Sequence, residues 1–265
     1  MSCALPELRV AFLLPAHAHA FAQLYAERID DADQVDPKSI LQWMGNPSRC
    51  PASAEQLALA RLDSEPTHLL LGAWSGEALV GFTHCTYLPA ERLAFVPYLA
   101  VRPGAPGSAC ASAMLGYLLS LIQERLCGCE WVAFELSQAM GEERAQARRR
   151  VFERHLRSLG LRTYRLMLPY RLPALETEGG FQGRADLMLV RPWPGAAPAS
   201  VLAPASALGL VRAIYFGAYA EELTQGGTAS QYLARLEAEL EQLGALLAEP
   251  VKLEERGAPR RGYSC

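Results

Sequence analysis

The sequence predicts an α/β fold of α+β character: a mixed central sheet flanked by helices, then a C-terminal helical hairpin. Three observations predict it. Apolar runs of strand length between residues 67 and 101 are separated by short turns, the pattern of consecutive antiparallel strands. From Leu93 onward the chain alternates strand, helix, strand, helix, strand, and such helices are the crossovers that parallel pairing needs. After residue 205, two segments carry apolar residues on one helical face.

The elements follow in order. Pro15–Ile29 is a first helix: Pro15 suits a first turn, and Phe21, Leu24, Tyr25 and Arg28 lie at i, i+3, i+4 and i+7. After the polar loop "IDDADQVDPKS", a short helix over Ser39–Met44 ends at Gly45-Asn46-Pro47. A third helix, Ser53–Leu62, opens on Ser53 as N-cap. "THLLLGAW" is apolar at consecutive positions, which marks a strand covered on both faces. "SGE" turns it back into "ALVGFTHCTYL", and a turn at Pro89–Arg92 leads into "RLAFVPYLAV". Pro97 has no N–H, so this strand lacks a neighbour bond there, through an edge, a bulge or a splayed pair.

A turn at Arg102–Gly107 then starts a helix running to about Leu126, and "CEWVAFELS" is the next strand. Glu142–Leu159 is a charged helix closed by Gly160, and "RTYRLMLPYRL" is strand-like. These elements make a main domain over residues 1–175. Residues 176–205 are loop and linker, with "ADLMLVRPW" as a last short strand. Residues 206–250 form the hairpin, joined near Gly226-Gly227, and 251–265 are a tail. In the hairpin Leu208, Val211, Ile214, Tyr215, Ala218 and Tyr219 share one face, and Leu233, Leu236, Leu240, Leu243 and Leu247 step by three and four. These stripes must bury on the main domain, on a second subunit or on each other, so monomer and homodimer both stay open.

Composition narrows the function classes. A hydrophobic content of 51% belongs to a packed globular chain. A net charge of −3 argues against a nucleic-acid partner, and no run reaches the roughly 18 apolar residues of a membrane span. The seven cysteines are odd in number and irregular in spacing, and residues 1–20 lack the basic start and apolar core of a secretory signal. Reduced thiols in a cytoplasmic protein are expected. Cys127-Gly-Cys129 lacks a second pair at zinc-ribbon spacing, and His17 and His19, two apart on a helix, cannot both face one ion, so no metal is expected. Lys38 and Lys252 are the only lysines, which disfavours Schiff-base chemistry.

The stretch "YLAVRPGAPGSACASAML" carries the candidate site. The first N–H groups of a helix lack internal partners, and the helix dipole makes that end positive. Gly107, Ser108, Ala109, Cys110 and Ala111 are small enough for an anion to approach their backbone. The turn is either a phosphate cradle or a strand-to-helix corner packed with small residues. A helix start also lowers a thiol pKa, which makes Cys110 a candidate for activation, although no base or orienting partner accompanies it. His84 stands in a strand, where it either lines a substrate or is structural. Arg144–Arg157 is either a solvated basic face or an attractor of acidic phosphates.

This element order, Pro97 and the small-residue turn resemble the GNAT superfamily, the Gcn5-related N-acetyltransferases. The resemblance spans about residues 5–175, is strongest at Thr67–Tyr170, and is to a divergent member with a C-terminal helical extension. It implies an acyl-CoA-dependent N-acyltransferase that moves an acetyl group from acetyl-CoA to an amine of a small molecule or peptide by direct attack, without a metal. Its alternative is a catalytically inactive module that binds CoA or a protein partner. The family pattern Gln/Arg-x-x-Gly-x-Gly/Ala falls on Pro106, Ala109 and Ala111; Ala111 fits and Pro106 departs. Backbone N–H groups from Gly107 to Ala111, with Arg102 helping, would then hold the pyrophosphate. In the family the fourth and fifth strands splay apart, so Leu99, Ala100 and Val101 would face the pantetheine arm. Glu135, at the end of the fifth strand, is the implied base. The tyrosine that protonates the leaving thiolate in relatives falls on Leu156, leaving Tyr98 and Tyr164 as substitutes by residue type.

Overall fold

The computed structural model describes residues 8–29, 37–59, 65–105, 107–137, 142–173, 181–220 and 229–256. Its strands are β1 (Leu8–Phe12), β2 (Thr67–Ser75), β3 (Ala78–Leu88), β4 (Leu93–Val101), β5 (Trp131–Ser137), β6 (Thr163–Leu166), β7 (Arg171–Pro173), β8 (Phe181–Val190), β9 (Val201–Leu202) and β10 (Val251–Arg256). The sheet order is β1-β2-β3-β4-β5-β8-β6-β10-β9, with β7 paired to β8. β2, β3 and β4 are antiparallel neighbours, as their short turns require, and β4 and β5 are parallel. That parallel pair needs the long crossover α4 (Gly107–Arg125) between its strands.

Strand alternation divides the side chains between two faces. On one face, α1 (Ala18–Arg28) and α2 (Pro37–Trp43) pack Phe21, Leu24, Tyr25, Ile40 and Trp43 against Leu70, Phe82, Tyr98 and Ala100. The same face carries Leu93, Phe95, Ala133 and Leu187, covered by α6 (Pro204–Arg212), its π-helical continuation Ala213–Tyr219, and α7 (Ala229–Leu246). The other face packs α4, α5 (Glu142–Ser158) and Leu57 of α3 (Ala54–Leu59) on Ala94, Val96, Val132 and Phe134. The hairpin stripes therefore bury on the sheet of their own chain. Each fully buried side chain among Val211, Ile214 and Leu236 contributes about 1.5–3 kcal/mol of apolar burial.

Several segments differ from their sequence reading. Leu8–Phe12 is a strand on the edge of β2, not anticipated because only five residues carry the pattern. The first helix splits into a 3-10 turn, Pro15–His17, and α1. Ser53 does cap α3, with its Oγ accepting from the Gln56 N–H at 3.2 Å. "RTYRLMLPYRL" is two strands, β6 and β7, broken around Pro169. The strand expected within 176–205 is ten residues long and lies inside the sheet, between β5 and β6. Val251–Arg256, read as tail, pairs with β6. The expected turn at Gly226-Gly227 lies outside the described residues.

Asp186 explains how β8 carries a charge in the interior. It is 4% exposed and accepts from Arg165 Nε at 2.8 Å on β6, while Arg149 of α5 forms a second ion pair with it. Removing the carboxylate strands two partly buried guanidinium groups. Asp186→Ala is expected to lower unfolding stability by about 2 kcal/mol or more in urea titrations; a change within about 0.5 kcal/mol would contradict this role.

Candidate active site

The ladder between β4 and β5 is short. It runs Leu93↔Trp131, Ala94↔Val132, Phe95↔Ala133, Val96↔Phe134, and ends there. On the opposite edge, β4 pairs with β3 as His84↔Tyr98 and Thr86↔Phe95, so Val96 and Pro97 together oppose Cys85 in a β-bulge. Pro97 thus sits where the strand bends and where its β5 pairing stops, a place that tolerates a missing N–H. Beyond it, Leu99, Ala100 and Val101 keep their β3 partners and have no β5 residue in register. β5 instead continues on its other side, with Glu135↔Leu187 and Leu136↔Asp186. The two strands diverge into a gap with Tyr98 on one lip and Glu135 on the other.

α4 begins beside this gap. It can approach because β3 offers Gly81, where an added Cβ would lie 2.8 Å from Cys110 Sγ and 3.1 Å from the Ala100 carbonyl oxygen. Gly107, Ser108 and Ala109 are exposed, Ala111 is half-buried and Cys110 is buried. Pro106 lies outside the described residues. Arg102, expected to help with phosphate, ion-pairs with Glu27 of α1 at 3.3 Å. A different side chain meets the helix start: buried His155 of α5 hydrogen-bonds Ser112 through Nδ1 and lies 3.5 Å from Ser108 Oγ through Nε2. Burial and then the neighbouring Arg154 lower its pKa. Cys110 is not an activated thiol, because burial pushes it up to about 11 and outweighs the helix terminus.

Glu135 is held from the hairpin face. The Tyr170 hydroxyl donates to its Oε1 and the Tyr219 hydroxyl to its Oε2. Both tyrosines are buried, and burial first, then the adjacent Glu135 charge, raises their pKa well above the usual phenol value. They are therefore firm donors. Tyr219 also packs on Phe95, the last hairpin-face residue of β4 before the gap, with centroids 5.8 Å apart. The turn that carries it passes close to β3 at Gly217, where an added Cβ would meet Leu88 Cδ2 at 2.6 Å.

The sequence candidates are thus only partly brought together. Glu135, Tyr98 and the Leu99–Val101 backbone surround the gap. Tyr164 does not reach it: in β6, two strands from β5, it is fully buried edge-on to Trp131, and its hydroxyl accepts from the Ala199 N–H at 3.3 Å. Leu156, the place of the family tyrosine, is fully buried beneath α5. Sequence reading missed Tyr170 and Tyr219, and it sets His155 aside as a neighbour of Leu156 that does not match the family tyrosine. Tyr219 was read only as part of an apolar stripe, yet a buried tyrosine hydroxyl needs a partner, and Glu135 in an otherwise apolar strand needs donors. Among the described residues no three His, Cys, Asp or Glu side chains are grouped as a metal would require, and no helix is long and apolar enough to cross a membrane.

Next to Tyr98, His84 and His68 form a buried polar pair. His68 Nδ1 lies 3.2 Å from His84 Nε2, Thr86 Oγ1 contacts both rings, and Trp43 stacks on His68 at 3.7 Å. Burial lowers the His84 pKa to about 3; burial, His84 and Arg49 hold His68 well below its usual value.

This architecture is the GNAT acetyltransferase fold. A protein of the GNAT family from Bacteroides thetaiotaomicron superposes with a TM-score of 0.53 over 80% of this chain and 98% of its own, at 14% identity. The diaminobutyrate acetyltransferase from Paenibacillus lautus, solved with L-2,4-diaminobutyric acid and coenzyme A, has a TM-score of 0.49 and 15% identity over 73% of this chain and 99% of its own. The ribosomal-protein-S18-alanine N-acetyltransferase from Escherichia coli has a TM-score of 0.45 and 15% identity over 72% and 97%. No protein-family model and no curated protein matches the sequence.

The histidine pair makes a pH prediction. Both rings stay neutral when folded, whereas in the unfolded chain they bind protons near pH 6.5. Stability is therefore lost as pH falls below 6.5, by about 2 kcal/mol for His84 between pH 7 and pH 5, with His68 acting in the same sense. Denaturant titrations at both pH values are expected to show a smaller loss in His84→Gln by about that share; identical losses would contradict a neutral buried His84.

Proposed function

We propose that the protein is an N-acyltransferase that uses acetyl-CoA and acetylates an amine of a small molecule or peptide. The observation that carries this reading is the broken β4–β5 ladder beside the start of α4. The strand edge at Leu99–Val101 supports it, because it has no register partner on β5 and offers backbone groups to the amides of the pantetheine arm. The exposed small residues Gly107, Ser108 and Ala109 support it too, since their N–H groups and the helix dipole suit a pyrophosphate without a side-chain ligand.

The reaction follows from these positions. A neutral amine attacks the thioester carbonyl, the C–N bond forms as the C–S bond breaks, and the amine proton passes to Glu135 directly or through a water. The thiolate leaves as CoA and takes up a proton from solvent, and Glu135 returns the amine proton to solvent. Tyr98, on the opposite lip, borders the acceptor side together with the His68–His84 pair. One observation favours a second reading, a module that binds CoA without turnover: Leu156 stands, fully buried, where the resemblance places a proton-donating tyrosine.

Calorimetry with acetyl-CoA and thiol-release assays over an amine panel separate the readings. Acetyl-CoA is expected to bind, and Glu135→Gln to keep that binding while losing roughly 100-fold or more in kcat. Absence of binding at millimolar acetyl-CoA overturns both readings; binding with no turnover of any amine leaves the module.

A further inference from the structure

We infer that the C-terminal hairpin is a working part of the acyl-transfer site, with Tyr219, seconded by Tyr170, acting as the positioning residue that holds the Glu135 carboxylate at the lip of the β4–β5 gap. This rests on the acyl-transfer reading. The geometry is specific. Glu135 presents two oxygens, and each accepts from a different tyrosine, one on the segment between β6 and β7 and one on the hairpin. The hairpin donor sits on a π-helical stretch, Ala213–Tyr219, which directly continues α6. Such bulges are unfavourable in isolation and concentrate at functional sites. Here the stretch places Tyr215 and Tyr219 on the same side with separate partners: Tyr215 donates to the Arg171 carbonyl at 2.7 Å, and Tyr219 reaches Glu135. The Arg171–Glu239 ion pair, at 3.1 Å, links β7 to α7 over this group.

Chemistry gives the arrangement a purpose. A carboxylate in this half-buried place needs donors to stay ionised, and an ionised carboxylate is what accepts a proton from an attacking amine. Two phenols also fix both oxygens, so the carboxylate does not rotate away from the gap. Tyr219, packed on Phe95, spans from the β4 side of the gap to the β5 side, so the site is complete only when the hairpin is docked.

The test uses the full chain with Tyr219→Phe, Tyr170→Phe and, as a matched control on the same turn, Tyr215→Phe. Acetyl-CoA binding by calorimetry comes first, and its loss in the wild type would sink the acyl-transfer reading rather than this inference. The Glu135 carboxyl is then followed by NMR of glutamate-labelled protein, assigned with Glu135→Gln. Tyr219→Phe and Tyr170→Phe are each expected to move its titration to higher pH by about one unit, and Tyr215→Phe to leave it in place. With a turned-over amine, Tyr219→Phe should lower kcat about tenfold, keep KM for acetyl-CoA, and move the acid limb of the pH–rate profile by the same shift. An unmoved Glu135 titration in both tyrosine variants overturns the inference, whether or not an acceptor is known; a shift equally large in Tyr215→Phe assigns the effect to packing and also overturns it.

Discussion

The structure turns on one missing interaction: β4 and β5 stop hydrogen-bonding after Val96 and Phe134. A parallel pair buried on both faces ordinarily continues to the ends of its strands, because unpaired backbone groups are costly away from water. Here continuation is blocked. Pro97 brings no N–H, and the bulge opposite Cys85 turns the strand, so the last residues of β4 follow β3 instead of β5. β5 in turn follows β8, whose register carries Glu135 and Leu136 away from β4 and leaves Glu135 at the edge of the gap. The opening is thus a property of the ladder itself and does not depend on a loop.

What surrounds the opening is arranged around that divergence. On one face α4 lies close to β3 because Gly81 has no side chain, and its exposed first residues come up beside the end of β4. On the other face a polar and aromatic band crosses the sheet, from Trp43 and His68 through His84 and Tyr98 to Tyr219, Glu135 and Tyr170. Interior polarity is costly wherever a group is left without a partner. The histidines limit that cost by being neutral and contacting each other and Thr86, although His84 Nδ1 has no hydrogen-bond partner among the described residues, and Glu135 is held by two phenols. Asp186, on the α4 face of the same strand pair, is held by Arg149 and Arg165.

The sequence revealed the parts of this design that are local. Pro97 inside an apolar strand announced the defect, and the small residues after Gly107 announced an open helix start. The antiparallel β2–β3–β4 meander was legible from its turns. What escaped notice depends on partners far along the chain. β8 reads "FQGRADLMLV", and its polar half suggests a loop until Arg149 and Arg165 are seen to neutralise Asp186. β10 reads "VKLEER", an alternating strand with one wet face, which resembles a tail when its partner β6 lies 85 or more residues upstream. Glu135 and Tyr219 were each visible, but 84 positions separate them and no periodicity links a strand to a π-helical turn. Cys110 went the other way: its place at a helix start suggested reactivity, and burial reversed it.

The central claim is that the β4–β5 gap is where the acyl donor binds. Its most direct test is a crystal structure with acetyl-CoA. The account predicts the pantetheine arm along Leu99–Val101, the pyrophosphate on the N–H groups of Gly107–Ala111, and the thioester carbonyl facing Glu135. Acetyl-CoA bound elsewhere, or a β4–β5 ladder that closes past Val96 in the complex, would contradict it.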